Sequence, residues 1–308
     1  NVPLAVSYND VSQNTETQVE PKIIFDFIET ELLETIPMLT EKTSLGTNST
    51  IQGQWTKASA AALLVRLYLN AKVYIGEEKY DECAAIAQKI VDGDYGKYAV
   101  ADRWDAAFDW DNDNCDEVLF GFPADAGYTY WQYQGDTYWW TVPARARYYF
   151  NDSKSKAGDH NTKYAASPSY APNGEPLDYQ LGMTVQKFRK YPGDVRLKLY
   201  RNLGDSRREG MFLYGYLEYK DENGATKRVK APEVDYELYI RDAVGKFQGL
   251  DPNKWLAATT STLRDGDHNS GWHFAKYPFY TDDDLHQMES DYTEIRLPEV
   301  IYSLAECK

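Results

Sequence analysis

The stretch that most constrains the fold is "WTKASAAALLVRLYLNAKVYIGEEKYDECAAIAQKIVDGDY", residues 55–95. From a Thr56 cap, apolar Ala60, Leu63, Leu64, Leu67, Ala71 and Tyr74 recur at helical spacing. A break at "IGEE" follows, and then Tyr80, Cys83, Ala84, Ala87 and Val91 mark one face of a second helix. Two such helices joined by a short turn predict an antiparallel hairpin over 56–92, with Ala60, Ala71, Ala84 and Ala87 permitting close approach. That is the physical form of a tetratricopeptide-like unit, although one copy is visible and the roughly 34-residue period does not recur.

The flanking segments add a coarse frame. In "VEPKIIFDFIETELLETIP", Pro21 suits the first position of a helix that ends before Pro37, with Ile24, Phe27, Ile28 and Ile36 as its apolar side. "TEKTSLGTNSTIQGQ" reads as a loop, and "DEVLFGFP", residues 116–123, as a short strand. From 124 to 293 the chain is rich in Tyr, Gly, Pro and Asp, which predicts long ordered loops with short helices or strands. A helix is expected around 193–203. "RLPEVIYSLAECK" starts a last helix at Pro298, with Val300, Ile301, Leu304 and Ala305 apolar, and reaches the chain end without a stop signal. The expectation is therefore that native chain is missing there.

Composition excludes several classes. The 308 residues carry a net charge of −15, which argues against nucleic acid, because phosphate binding needs clustered Lys and Arg. No run approaches the ~20 apolar residues of a membrane-spanning helix, and "NVPLAVSY" is not a signal peptide. Cys83, Cys115 and Cys307 are too scattered for a disulfide framework or a CxxC zinc site, and read as free thiols. Nucleophile, phosphate-loop, dinucleotide and HExxH motifs are missing. Of the four histidines, only His268 and His273 lie near one another, and not at helical ligand spacing. A glycosidase needs only two carboxylates, and 48 acidic residues offer pairs by chance.

Two segments carry candidate chemistry. "DWDNDNCDE", residues 109–117, fails as an EF-hand, since the sixth and twelfth positions are Asn114 and Phe120. Asp111 and Asp113 are candidate oxygen ligands for Ca²⁺ in an irregular loop; the alternative is a polar turn before the strand. "GYTYWQYQGDTYWW", residues 127–140, packs three Trp and four Tyr into one stretch. Tyr128 and Tyr130 fall on one parity and Trp131 and Tyr133 on the other, while Tyr138, Trp139 and Trp140 are consecutive, so no strand face holds them all. Exposed rings near Gln132, Gln134, Asp136, Arg145 and Arg147 suit a sugar, whose C–H face stacks while its hydroxyls need polar partners. A protein interface and internal packing remain open beside it.

The hairpin strongly resembles the SusD/RagB family of outer-membrane nutrient-binding lipoproteins, in its Ala-rich helix, "RLYLNA", "VY-G", Tyr80 and closing "I-D-Y". "NVPL", "FDWDNDNCDEVLF" and "IRLPEVIYSLAEC" agree in order with further family segments, so the resemblance covers most of the chain. It implies a mainly α fold: a tetratricopeptide-like helical scaffold with long ligand-binding loops and short strands. It also implies one domain over 1–308, incomplete at both ends, with a loop-rich binding region at 124–293.

By the same resemblance the protein performs no catalysis. It would capture an oligosaccharide or polysaccharide at the outer-membrane surface, lipid-anchored through an N-terminal Cys absent here, and deliver it to a SusC-like TonB-dependent transporter. "GDTYWW" resembles the aromatic-arc setting of starch-binding members and singles out Tyr138, with "DND" adding weight to calcium. Trp131, Trp139, Trp140, Tyr130, Gln132 and Arg145 join the expected ligand site on local chemistry. A peptide-binding member and a secreted glycoside hydrolase are the alternative readings.

Overall fold

Thr56 starts the central helix with a reciprocal cap: its side chain accepts from the Ser59 N–H while its own N–H donates to Ser59 Oγ at 2.7 Å. The computed structural model describes residues 3–6, 18–109, 112–124, 190–197, 201–204, 207–213, 215–216, 218–220, 223–228, 230, 237, 239–241, 251, 269, 273–274, 276–277 and 290–308. The chain divides into two compact units. One combines Asn1–Asp102, Asn112–Pro123 and Asp291–Lys308; the other combines Arg103–Asp111 and Ala124–Ser290.

The first unit is the helical scaffold. Its elements are α1 (Pro21–Thr35), α2 (Lys57–Leu69), α3 (Ala71–Ile75), α4 (Tyr80–Asp92) and α5 (Leu297–Cys307), with strands β1 (Val118–Phe122) and β2 (Tyr292–Arg296). The expected hairpin is present: α2 packs on α4, and α5 packs on both. Helix α2 is apolar nearly all round, burying Ala58, Ala60, Ala61, Ala62, Leu64, Val65 and Tyr68, so the small alanines set the close approach. The expected continuous face breaks at Asn70, where the backbone leaves helical angles. Tyr74, beyond that break, is exposed rather than in the core.

Other faces also differ from the periodic reading. Helix α1 buries Phe25, whereas Phe27 and Ile28 are exposed. On α4 the third anchor is Ile90, and Val91 faces outward. On α5 Ala305 is exposed and Ser303 takes its place in the buried stripe. These corrections share a cause: which side of a helix is covered is set by where its partner packs, not by the apolar spacing alone.

The far end of the chain is tied in by strand pairing and charge. Antiparallel β1 and β2 match Gly121 with Thr293 and Phe122 with Tyr292. Arg66 on α2 makes a bidentate contact to Glu299 of α5, at 2.5 and 2.8 Å, and reaches Glu294 Oε1 of β2 at 3.1 Å. Those hydrogen bonds, led by Glu299, hold the guanidinium pKa above its ordinary value. Buried Glu117 repeats the device, accepting from Arg296 Nη1 at 2.5 Å and from the Ala101 N–H at 3.1 Å. Lys42, whose side chain is fully buried, pairs with Asp116 and lies over the Tyr98 ring.

In the second unit, the described residues form short antiparallel pairs. Arg201–Gly204 pairs with Arg207–Glu209, Phe212–Leu213 with His273–Phe274, Gly215–Tyr216 with Tyr239–Ile240, and Glu218–Lys220 with Thr226–Arg228. The helix expected around 193–203 is corrected: a single turn spans Val195–Leu197 and a strand begins at Arg201. Phe108 meets Tyr277 edge-on at 5.2 Å, and Asp105 holds Arg103 in a two-pronged contact at 2.8 and 3.0 Å.

The Arg66 geometry gives a direct test of the scaffold. Arg66→Ala leaves two carboxylates facing each other and is expected to cost about 2 kcal/mol, a figure already lowered for partial exposure of the guanidinium. Thermal and urea unfolding should show it, and Arg66→Lys should recover less than half, because an ammonium lacks the planar fork. An unchanged midpoint for Arg66→Ala would remove the clamp from the account of the fold.

Candidate functional site

Three separated segments of the first unit meet at the edge of the β1–β2 pair. The loop before α2 supplies Asn48, Gln52 and Trp55; the turn before β1 supplies Asn112 and Asp113; the start of β2 supplies Asp291 and Tyr292. Buried Asn112 joins the last two as a surrogate backbone. Its Nδ2 donates to Asp291 O at 3.0 Å, and its Oδ1 accepts from the Asp291 N–H at 2.7 Å.

Asn48 attaches the loop in the same manner, donating through Nδ2 to Val118 O at 3.1 Å and to Cys115 O. Gly53 turns the loop with φ +68°, and a Cβ there would stand 2.7 Å from Pro123 Cγ, so both backbone and space require glycine.

These segments enclose a cavity of about 20 Å³, room for one water-sized guest. Gln52 Nε2 donates to Asp113 Oδ1 at 3.3 Å and to Asp291 Oδ2, so two carboxylates converge on one amide. Asn48 lines the same cavity and is 6% exposed. Its Oδ1 is buried and accepts no hydrogen bond, while flipping the amide would set oxygen against two carbonyls.

Beside the cavity runs a ladder of rings. Trp55 stacks on Phe120 with centroids 4.0 Å apart and planes within 11°. Phe120 meets Phe122 edge-on at 5.2 Å, and Phe122 lies 6.2 Å from Tyr292, its partner across the strands. The ladder is anchored at Phe120, which is 6% exposed, and open at Trp55 and Phe122, which are 43% and 50% exposed. Flat apolar rings next to amides and carboxylates offer stacking and hydroxyl contacts together.

Two solved structures share the architecture. One is a SusD-superfamily protein from Parabacteroides distasonis ATCC 8503, with TM-score 0.55 and 15% identity over 99% of this chain and 50% of that one. The other is a SusD-superfamily protein from Bacteroides fragilis NCTC 9343, with TM-score 0.51 and 14% identity, again over 99% and 50%. The chain has a SusD-superfamily fold. It spans about half the length of these two structures. Neither a family model nor a curated protein sequence matches it.

Within this SusD-like scaffold the expected site residues divide sharply. Tyr130, Trp131, Gln132, Tyr138, Trp139, Trp140, Arg145 and Asp111 lie outside the described residues. Asp113 is described, half-buried, and faces Gln52 across from Asp291. The acidic run around it is mostly structural, with Asp116 and Glu117 committed to Lys42 and Arg296. Among the described residues no group of three His, Cys, Asp or Glu side chains could hold a metal, and no helix is long and apolar enough to cross a membrane.

Sequence reasoning missed Trp55, Gln52, Asn112, Asp291 and the Phe120–Phe122–Tyr292 ladder. The alternation of Phe120 and Phe122 along one strand was the available signal; the pairing with Tyr292 had none.

Asn112→Ala removes both partners of the Asp291 backbone and is expected to lower stability by about 2–3 kcal/mol. Asn112→Asp keeps the acceptor and should lose about half of that, read as the shift in thermal midpoint. Equal midpoints for wild type and Asn112→Ala would mean that the junction does not depend on this side chain.

Proposed function

We propose that this chain is part of a surface glycan-binding protein that captures an oligosaccharide or polysaccharide and passes it, without catalysis, to a SusC-like TonB-dependent transporter in the outer membrane. The observation that carries the reading is the ring ladder from Trp55 to Tyr292, open at two rungs and bordered by Gln52, Asn112 and Asp113. The SusD-superfamily fold supports it by analogy. The aromatic stretch of the second unit is proposed in its own right as a stacking surface, with Tyr138, Tyr130, Trp131, Trp139 and Trp140 as its rings and Gln132 and Arg145 contacting hydroxyls. The anchor is a lipidated N-terminal Cys.

Affinity electrophoresis against a panel of neutral polysaccharides tests this, followed by calorimetry on the retained ones. Trp55→Ala and Tyr138→Ala are each expected to weaken binding about tenfold, near 1.4 kcal/mol. Unchanged affinity in either variant would overturn the assignment of that residue. Retention of basic peptides in place of glycans would move the reading to a peptide-binding protein, and new reducing ends on prolonged incubation would make it a hydrolase.

A calcium ion belongs to the same proposal. Asp113 and Asp291 would supply carboxylate oxygens, and Asn48 Oδ1, which accepts no hydrogen bond, an amide oxygen; these hard oxygen donors suit Ca²⁺. When bound, the ion would neutralise the converging charges and order the loop under Trp55. Millimolar Ca²⁺ is expected to raise the thermal midpoint by several degrees relative to EDTA, through binding linkage, and Asp113→Asn should abolish the rise. Identical midpoints with and without the ion would remove calcium from the proposal.

A further inference from the structure

Two of the three cysteines, widely separated in sequence, come together in the scaffold. Cys83 lies in the first turn of α4 and is fully buried, its thiol donating to Val65 O at 3.5 Å. Cys307 ends α5, on the stripe that carries Val300 and Leu304, and packs half-buried against the same apolar cluster. Helices α4 and α5 pack on one another, and Cys307 packs against the same apolar cluster that contains Cys83, its thiol being among the groups that raise the Cys83 pKa. The third thiol, Cys115, sits just before β1 and is held by the turn that Asn48 caps.

We propose that Cys83 and Cys307 are a disulfide-forming pair, a modification site that staples α4 to α5 when the chain meets a disulfide donor such as glutathione disulfide or a thiol–disulfide oxidoreductase. The more accessible Cys307 reacts first: its thiolate attacks the donor, forming a mixed disulfide and releasing one donor thiol. Cys83 then attacks the Cys307 sulfur, closing the protein disulfide and releasing the second donor thiol. Two protein thiols are oxidised and one donor disulfide is reduced to two thiols, so the exchange balances. Burial pushes the Cys83 thiol up to about 12. The closing step is therefore slow at neutral pH, and its rate should rise about tenfold per pH unit as the thiolate fraction grows.

The test is to incubate the chain with glutathione disulfide at pH 8, block residual thiols under denaturing conditions, and map the peptides. The expected result is a linked peptide joining Cys83 to Cys307, with Cys115 still blocked by the alkylating agent and no glutathione retained. The oxidised chain should melt about 5 °C higher than the reduced one, because the bridge closes a long loop, and dithiothreitol should reverse the shift. In Cys83→Ser, glutathione should remain on Cys307. Three outcomes would overturn the pairing: glutathione retained on Cys307 in the wild type with Cys83 free, a disulfide that includes Cys115 or joins two chains, or a bridge that lowers the midpoint.

Discussion

Arg66 holds together parts of the chain that have no local reason to meet. Helix α2 is rich in alanine, so neighbouring backbones can come close, but burial of small apolar groups is non-directional and fixes no rotation or register. The guanidinium fork adds direction: it accepts one position for Glu299 on α5 and one for Glu294 on β2. Arg296 with Glu117 repeats the arrangement one step along the strand pair, and the Leu297 N–H donates to Glu117 O at 2.9 Å. The segments "RLYLNA" and "IRLPEV" are thus two halves of one contact.

The candidate site depends on that contact. Once β2 is fixed against β1, Tyr292 falls opposite Phe122, and Asp291 is placed where Asn112 can bind both of its backbone groups. The loop before α2 closes over them through Asn48, and Trp55 settles on Phe120. Stacking surface and polar cavity are therefore consequences of the same tertiary pairing.

Local structure was largely legible in the sequence. Pro21, the Thr56 cap, the break at "IGEE" and the apolar run of 118–122 all mark elements that exist. The faces were less so: Phe25 rather than Phe27, and Ile90 rather than Val91, are buried, since which side of a helix is covered depends on the partner. The stretch at 193–203 shows the same limit, because a basic-aromatic run with no strict period suits a strand as well as a helix. Of the candidate site, Asp113 was read from the acidic run, but its partners were not.

By itself the sequence determined the helical hairpin, the C-terminal helix and the short strand, because caps, periodicity and turn residues act over a few positions. Only the tertiary structure decided that Arg66 joins Glu299, that Cys83 and Cys307 share one apolar cluster, and that Trp55, Phe120, Phe122 and Tyr292 form one ladder. Each of these pairs residues distant in the chain, and nothing in local propensity encodes which distant partner a side chain will face.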